Sequence, residues 1–433
     1  MAEPRTLLEA IVRQRRLSWD EAAKVVAHAA RQKGERPLTL SSRHLGRLAR
    51  RERGDGMPNP ATCRALQHAF DRPVEELLAP YSPVALTVTS GSGALAGSSP
   101  TPSEALTVAA DRARRFVAAL HTTSEEAMEL LTDDTRDLVQ AYPTRPLPEI
   151  LGHLVSAQDA LFTMLERPQR PADSRRLYFL ATALGGMLAK ASHDLADPHA
   201  ALAQSRTAGL CAEQADHDGL RAWVAGMQAL IAYWAGRPRD SIRYSQRGTE
   251  YAERAGSTML PWLADSEARA WAALGNANGA RDAIARAERA WDTVRADELD
   301  EMGGIATFSR TRHLYFAADA LAWLPGEAEL GHDYASQAVA AYSDPLNPDW
   351  AFGDAAGSRA DFAITEVARG EVDGAVEVLE PVLALPPEQR INGIVHSVNR
   401  VHRAVASADS AAGRELQERI EDYTRTPLRA VPQ

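Results

Sequence analysis

Apolar positions recur at helical spacing in five short runs over the first eighty residues. Leu7, Leu8, Ile11 and Val12 stripe a first helix over 6–15. Ser18 is placed to cap a second, with Glu21 three residues on as in a capping box. Ala22, Val25, Val26 and Ala29 then follow at i, i+3, i+4 and i+7. A third helix starts near Ser41 with Leu45 and Leu48 inward, and Gly54, Asp55, Gly56 and Pro58 end it. Leu66, Ala69 and Phe70 mark the inner side of a fourth over 61–70, and Asp71-Arg-Pro-Val-Glu-Glu-Leu-Leu78 reads as a short closing helix.

The period then lapses. Residues 82–103 are rich in Gly, Ser, Thr and Pro, carry no charge, and read as a flexible tether. Gly91-Ser92-Gly93 within them is no phosphate loop, because no strand precedes it and no Gly-Lys-Ser/Thr follows. Beyond 104 the helical period returns and repeats. Gly236 and Gly275 lie 39 residues apart, as do Trp223 and Trp262, and one more step back reaches Asp197. Looser copies stand at Leu324-Pro-Gly-Glu327 and Arg369-Gly-Glu-Val-Asp-Gly-Ala375. Each copy is a helix ending near Gly or Pro, a short turn and a second Ala-rich helix, as over 241–255, 280–294 and 375–385.

A hairpin that recurs at this interval cannot bury its apolar stripe alone, so neighbours stack into a solenoid of tetratricopeptide-like type. About five or six hairpins fit between Ala172 and Arg425. Residues 105–170 read as further helices capping the array, striped by Phe116, Val117 and Leu120 and later by Leu147, Ile150, Leu151 and Leu154. Paired acids at Asp133-Asp134 suit N-capping at the start of one of them. The expected fold is all-α. A five-helix unit of helix-turn-helix layout spans 1–80, a linker 81–103, a helical cap 104–171 and the repeat array 172–433.

Composition adds a charge split. At 433 residues the chain is too long for one ordinary core, and its 45% hydrophobic content with only 6% aromatics reflects alanine, the residue of close helix packing. The net charge of −10 hides a positive first unit: residues 1–80 hold 15 Lys/Arg against 10 Asp/Glu. On the third helix Arg43, Gly46, Arg47 and Arg50 fall at i, i+3, i+4 and i+7 and share the outward face. Ser41 and Ser42 precede them and Arg51 follows. Arginine bonds phosphate or grips a guanine edge bidentately, and glycine lets backbone approach backbone, so these seven residues are candidates for contact with double-stranded DNA.

Residues 1–80 resemble the Xre-type, lambda-repressor-like DNA-binding domains. The resemblance is carried by Leu17-Ser-Trp-Asp-Glu-Ala-Ala23, Leu45-Gly-Arg-Leu-Ala-Arg-Arg-Glu-Arg-Gly54, Pro58-Asn-Pro60 and Phe70-Asp-Arg-Pro-Val-Glu-Glu-Leu77. Arg51-Glu52-Arg53-Gly54 keeps the Glu and Gly of the family's Trp-Glu-x-Gly element and lacks its Trp, and the 32–39 segment is longer than the usual tight turn. With Ala232-Tyr-Trp-Ala-Gly-Arg-Pro238 and Ala268-Arg-Ala-Trp-Ala-Ala-Leu-Gly275, the whole chain resembles a group of bacterial cytoplasmic regulators, often negative ones, of morphological development and antibiotic production. The resemblance implies a transcriptional regulator, a repressor more than an activator, and no particular ligand. In architecture alone the chain is also similar to quorum-sensing regulators whose repeat array binds a short peptide.

Such a regulator is expected to act as a homodimer through its repeats, because short helix-turn-helix sites need two half-sites. A peptide or small-molecule effector fits the same design. The competing expectation is an adaptor whose repeats bind a protein partner while the first unit is vestigial. Trp223, Tyr233, Trp234, Trp262, Trp271, Trp291 and Trp323 either pack between hairpins or, where Trp223 and Trp262 recur on first helices, line a concave groove. Arg221, Gln228, Asp265 and Arg269 lie on the same helices as a candidate ladder for reading a peptide.

Other classes find no support. There is no HExxH, Walker loop or GxSxG, so no enzyme and no cofactor is expected. His193, His217, His313 and His396 lack ligand spacing, and Cys63 and Cys211 form neither CxxC nor a Cys/His set, so no metal is expected. No run approaches the roughly 18 apolar residues of a membrane span, and Met-Ala-Glu-Pro-Arg is no secretory start, which points to the cytoplasm.

Overall fold

A computed structural model of the chain describes residues 4–14, 17–32, 40–50, 58–70, 72–79, 125–408 and 410–428. Arg51, the 82–103 segment and Phe116, Val117 and Leu120 lie outside them. The described residues form nineteen α-helices and no strand. The chain divides into two compact units, Met1–Ser99 and Pro100–Gln433.

The first unit holds α1 (Leu7–Gln14), α2 (Trp19–Gln32), α3 (Ser42–Arg50), α4 (Pro60–Phe70) and α5 (Val74–Leu77). The capping box forms: Ser18 N–H donates to Glu21 Oε2 at 2.8 Å, and Glu21 N–H to Ser18 Oγ at 3.3 Å. These bonds from Ser18 hold the Glu21 carboxyl below its ordinary pKa. Ser41 Oγ caps α3 by accepting from His44 N–H at 3.2 Å, and Asn59 Oδ1 caps α4 by accepting from Thr62 N–H at 2.9 Å. Leu8, Val26, Leu45, Leu66 and Leu77, one from each helix, are wholly enclosed and make the core. α3 packs on α1 and α2, and the Thr6 hydroxyl ties it down by donating to the Ala49 carbonyl.

In the second unit α6 (Glu125–Ala141) and α7 (Leu147–Leu165) pack on the first of six hairpins. The hairpins are α8/α9 (Pro171–Asp194, Pro198–Ala215), α10/α11 (Asp218–Trp234, Pro238–Ala255) and α12/α13 (Met259–Ala273, Ala277–Ala290). They continue as α14/α15 (Arg310–Leu321, Ala328–Ala341), α16/α17 (Phe352–Ala368, Val372–Leu383) and α18/α19 (Asn392–Val405, Ala411–Thr424). Asp133 and Asp134 sit inside α6, not at a helix start, because the helix begins earlier, at Glu125. The turns after α10, α12, α14 and α16 each put a glycine in the left-handed region: Gly236, Gly275, Gly326 and Gly370 have φ of 69°, 74°, 83° and 87°.

First helices touch first helices in succession, α8 to α18, and α18 returns to touch α8. The inner layer thus closes on itself, and the Phe352 N–H at the start of α16 donates at 3.1 Å to Pro143 O in the turn between α6 and α7. Between α13 and α14 the hairpin rhythm is broken by 291–309, which carries two 3-10 turns, Asp300–Met302 and Gly304–Ala306. This insertion lies against α6 and the starts of the first helices. Gln140 Nε2 donates to Met302 O at 3.3 Å, Thr258 N–H to Asp300 Oδ2 at 3.1 Å, and Phe308 N–H to Thr258 Oγ1 at 3.0 Å.

Candidate functional site

On α3 the side chains of Arg43, Arg47 and Arg50 are exposed, Ser41 is exposed and Ser42 half-buried. Gly46 is not on their face. It is buried under Trp19 of α2, whose ring lies 3.6 Å from where a Cβ would stand, so its role is packing and not backbone approach to DNA. Arg50 has its guanidinium carbon 5.8 Å from the same indole, and Arg47 Nη2 lies 3.4 Å from His44 Nδ1. The outward face is therefore an arginine row at i, i+4 and i+7.

In the second unit the six groove candidates do not form one surface. Trp223 is wholly enclosed, its indole N–H donating to Ile305 O of the insertion at 3.2 Å, and it packs instead of lining a groove. Its ring fills the place a Cβ on Gly186 of α8 would need, 2.0 Å away, and Trp262 does the same over Gly226 of α10 at 2.3 Å. The 39-residue recurrence of these tryptophans thus reports a stacking register in which each indole seats on a glycine of the preceding first helix. Trp262 also stacks on Phe308 at 6.4 Å and edges a cavity of about 80 Å3 beside Arg312 and Asp354. Arg221 is drawn to the α9–α10 turn by Glu213, Asp216 and Asp218 at 2.9, 3.1 and 2.9 Å. Gln228 accepts from Arg247. Asp265 is sealed against His313 at 2.7 Å. Burial lifts its carboxyl to about 6 despite that bond; burial works against the His313 charge too, but the bond with the Asp265 and Glu288 charges raises His313.

Arg269 alone leads to a cluster. Its Nε and the Nη1 of Arg400 donate to the two carboxylate oxygens of Asp319, and Tyr233 O–H donates to Asp319 Oδ2 at 3.1 Å. Arg400 Nη2 donates to the Tyr233 oxygen at 2.7 Å. These groups come from α10, α12, α14 and α18. Burial works against the Asp319 charge, yet Arg269 and Arg400 hold its pKa below the ordinary value. Asp361 of α16 is also buried, with Oδ2 unbonded among the described residues, and burial with the Asp319 charge pushes its carboxyl well above the usual range. Burial pushes Tyr233 up to about 12. Asp319 thus stands between two guanidiniums in the middle of the inner layer, with Asp361 buried nearby.

The cluster reaches solvent at one end. The Arg400 guanidinium carbon lies 4.2 Å over Trp323 and 4.9 Å from Trp234. Two adjoining recesses of about 530 and 570 Å3 share Trp323, Arg400 and Arg403. No Asp or Glu lines either among the described residues. Arg403 is exposed on the rim. His396 sits 5.8 Å from Trp234, its pKa lowered by burial and then by Arg400 and Arg403. Arg400 and Arg403 escaped the sequence reading, although His396, Asn399, Arg400 and Arg403 fall at i, i+3, i+4 and i+7 and so mark one polar face of α18.

These features define a helical-repeat protein built of stacked hairpins with an attached five-helix unit. No protein-family model matches the chain, and no curated protein does. Among solved structures, a Rap protein crystallised in complex with competence and sporulation factor is similar over 69% of this chain and 96% of its own, with 11% identity and a TM-score of 0.40. That likeness is too distant to carry a function. Among the described residues no helix is long and apolar enough to cross a membrane, and no group of three His, Cys, Asp or Glu is placed to hold a metal ion.

Proposed function

We propose that the chain is a helical-repeat scaffold whose second unit receives a partner molecule, a peptide, protein or small effector, at the end of its inner helical layer. One observation carries this reading: the paired recesses walled by Trp234 and Trp323 stay open at that end, with Arg403 on their rim. Concave sites of several hundred Å3 with aromatic walls and a few convergent polar groups are where ligands bind. The test is native mass spectrometry of the full-length chain isolated from its own cells, beside a Trp323→Ala/Arg403→Ala variant. A bound species of defined mass is expected on the parent and absent from the variant, at equal melting temperature. The same species on both, or none on the parent, removes the reading.

A second activity, binding of double-stranded DNA by the first unit, is favoured by the exposed row Arg43, Arg47 and Arg50. Two copies of the chain would then engage two half-sites. In a low-salt mobility-shift assay on selected genomic fragments, Arg43→Ala/Arg47→Ala is expected to abolish retention. A single change at a phosphate-contacting arginine should lower the salt slope by about 1. Undiminished retention of the double variant rules α3 out as the DNA-reading helix.

A further inference from the structure

We propose that the recesses at Trp323 and Arg403 take a carboxylate carried on an aromatic group. This rests on the scaffold reading above and names the chemistry of the occupant. Four observations converge. Arg403 stands on the rim and, among the described residues, has no carboxylate partner, while a guanidinium is a planar fork matched to a carboxylate. Arg400, one helical turn away, already gives Nη1 to Asp319 and Nη2 to Tyr233, so it contributes charge and a flat cationic wall over Trp323 more than a free fork. Trp323 is more than a third exposed and Trp234 half-buried, so the ring surface that Arg400 and His396 leave bare is open to a planar guest.

The fourth observation is electrostatic. The chain has ten more acids than bases, yet no acid lines either recess among the described residues. Arg400 and Arg403 both stand in their walls, and Arg269 lies behind with Arg400 on Asp319. A cation would be repelled there, a neutral ring would leave Arg403 without a partner, and an anion without a ring would leave the exposed part of the indoles bare. A ring bearing a carboxylate answers both.

The group has two sources, a free aromatic acid or the carboxy-terminus of a peptide ending in an aromatic residue. Calorimetric titration of the full-length chain separates them with two matched pairs of probes. The first pair is indole-3-acetate and its amide; the second is acetyl-Gly-Gly-Trp with a free and with an amidated terminus. At least one acid is expected to bind saturably, and its amide about tenfold or more weakly, as loss of a charge-assisted bond predicts. Arg403→Ala should weaken the acid by a similar factor and leave the amide unchanged, with partial recovery in Arg403→Lys. Trp323→Ala should weaken acid and amide together. Binding of the peptide acid alone assigns the source to a chain terminus, and of the indole acid alone to a small molecule. Amides binding as well as acids, neither acid binding, or an indifferent Arg403→Ala overturns the proposal. A host molecule retained by the parent and lost from the rim variant, with both acids failing, would leave the scaffold reading standing and remove only this one.

Discussion

Asp319 and Asp361 occupy neighbouring first helices and are equally buried, yet their surroundings differ in sign. Asp319 has two guanidiniums and a tyrosine hydroxyl on its oxygens; Asp361 has an oxygen with no partner among the described residues. Removing the charge of the first leaves two buried cations facing each other, so Asp319→Asn should cost about 3–5 kcal/mol in urea unfolding. Asp361→Asn should behave differently. Because its folded pKa is raised, the native state holds a proton that the unfolded chain releases above about pH 4. That contribution is complete below the unfolded value and fades as pH rises toward the folded one. Asp361→Asn should therefore gain on the parent between pH 5 and pH 8, and an equal decline in both proteins would show Asp361 to be ionised. Little of this was legible beforehand. In Phe316-Ala-Ala-Asp-Ala-Leu321 nothing marks the acid as special, since its partners lie on α10, α12 and α18.

Single elements were more readable, because caps and turns are local. Ser18 with Glu21, Ser41, Asn59 and the left-handed glycines after successive first helices act within a few residues of themselves. The spacing of Trp223 and Trp262 was also visible, but not what they touch. Their partners Gly186 and Gly226 sit a hairpin earlier, and only the stacked structure brings each pair together. Helix propensity alone would make Gly→Ala at these mid-helix sites stabilising by roughly 1 kcal/mol. The indoles reverse the sign. Gly186→Ala and Gly226→Ala should each destabilise by about 1–3 kcal/mol of overpacking, seen as a lower denaturation midpoint. Trp223→Leu placed on Gly186→Ala should recover part of that loss, whereas additive effects would show that the pair is not in contact.

At the level of the whole chain, the two units have separate cores with no residue in common. Calorimetry should resolve two transitions. Leu66→Ala, a cavity in the first core worth about 2–5 kcal/mol, should lower one and leave the other in place. A shift of both would mean the units unfold together. The hairpin repeat was legible from its interval, but the return of α18 to α8 was not, since it depends on how small rotations accumulate over six hairpins. Nor was the 291–309 insertion, which repeats nothing. It crosses the starts of the first helices, whereas the enclosed Tyr233, Arg269 and Asp319 lie toward the other ends of theirs, beside the recesses. Behind the recesses the inner layer is therefore filled by side chains among the described residues. A polymer cannot be threaded past those side chains, and a guest of the recesses must back out the way it came.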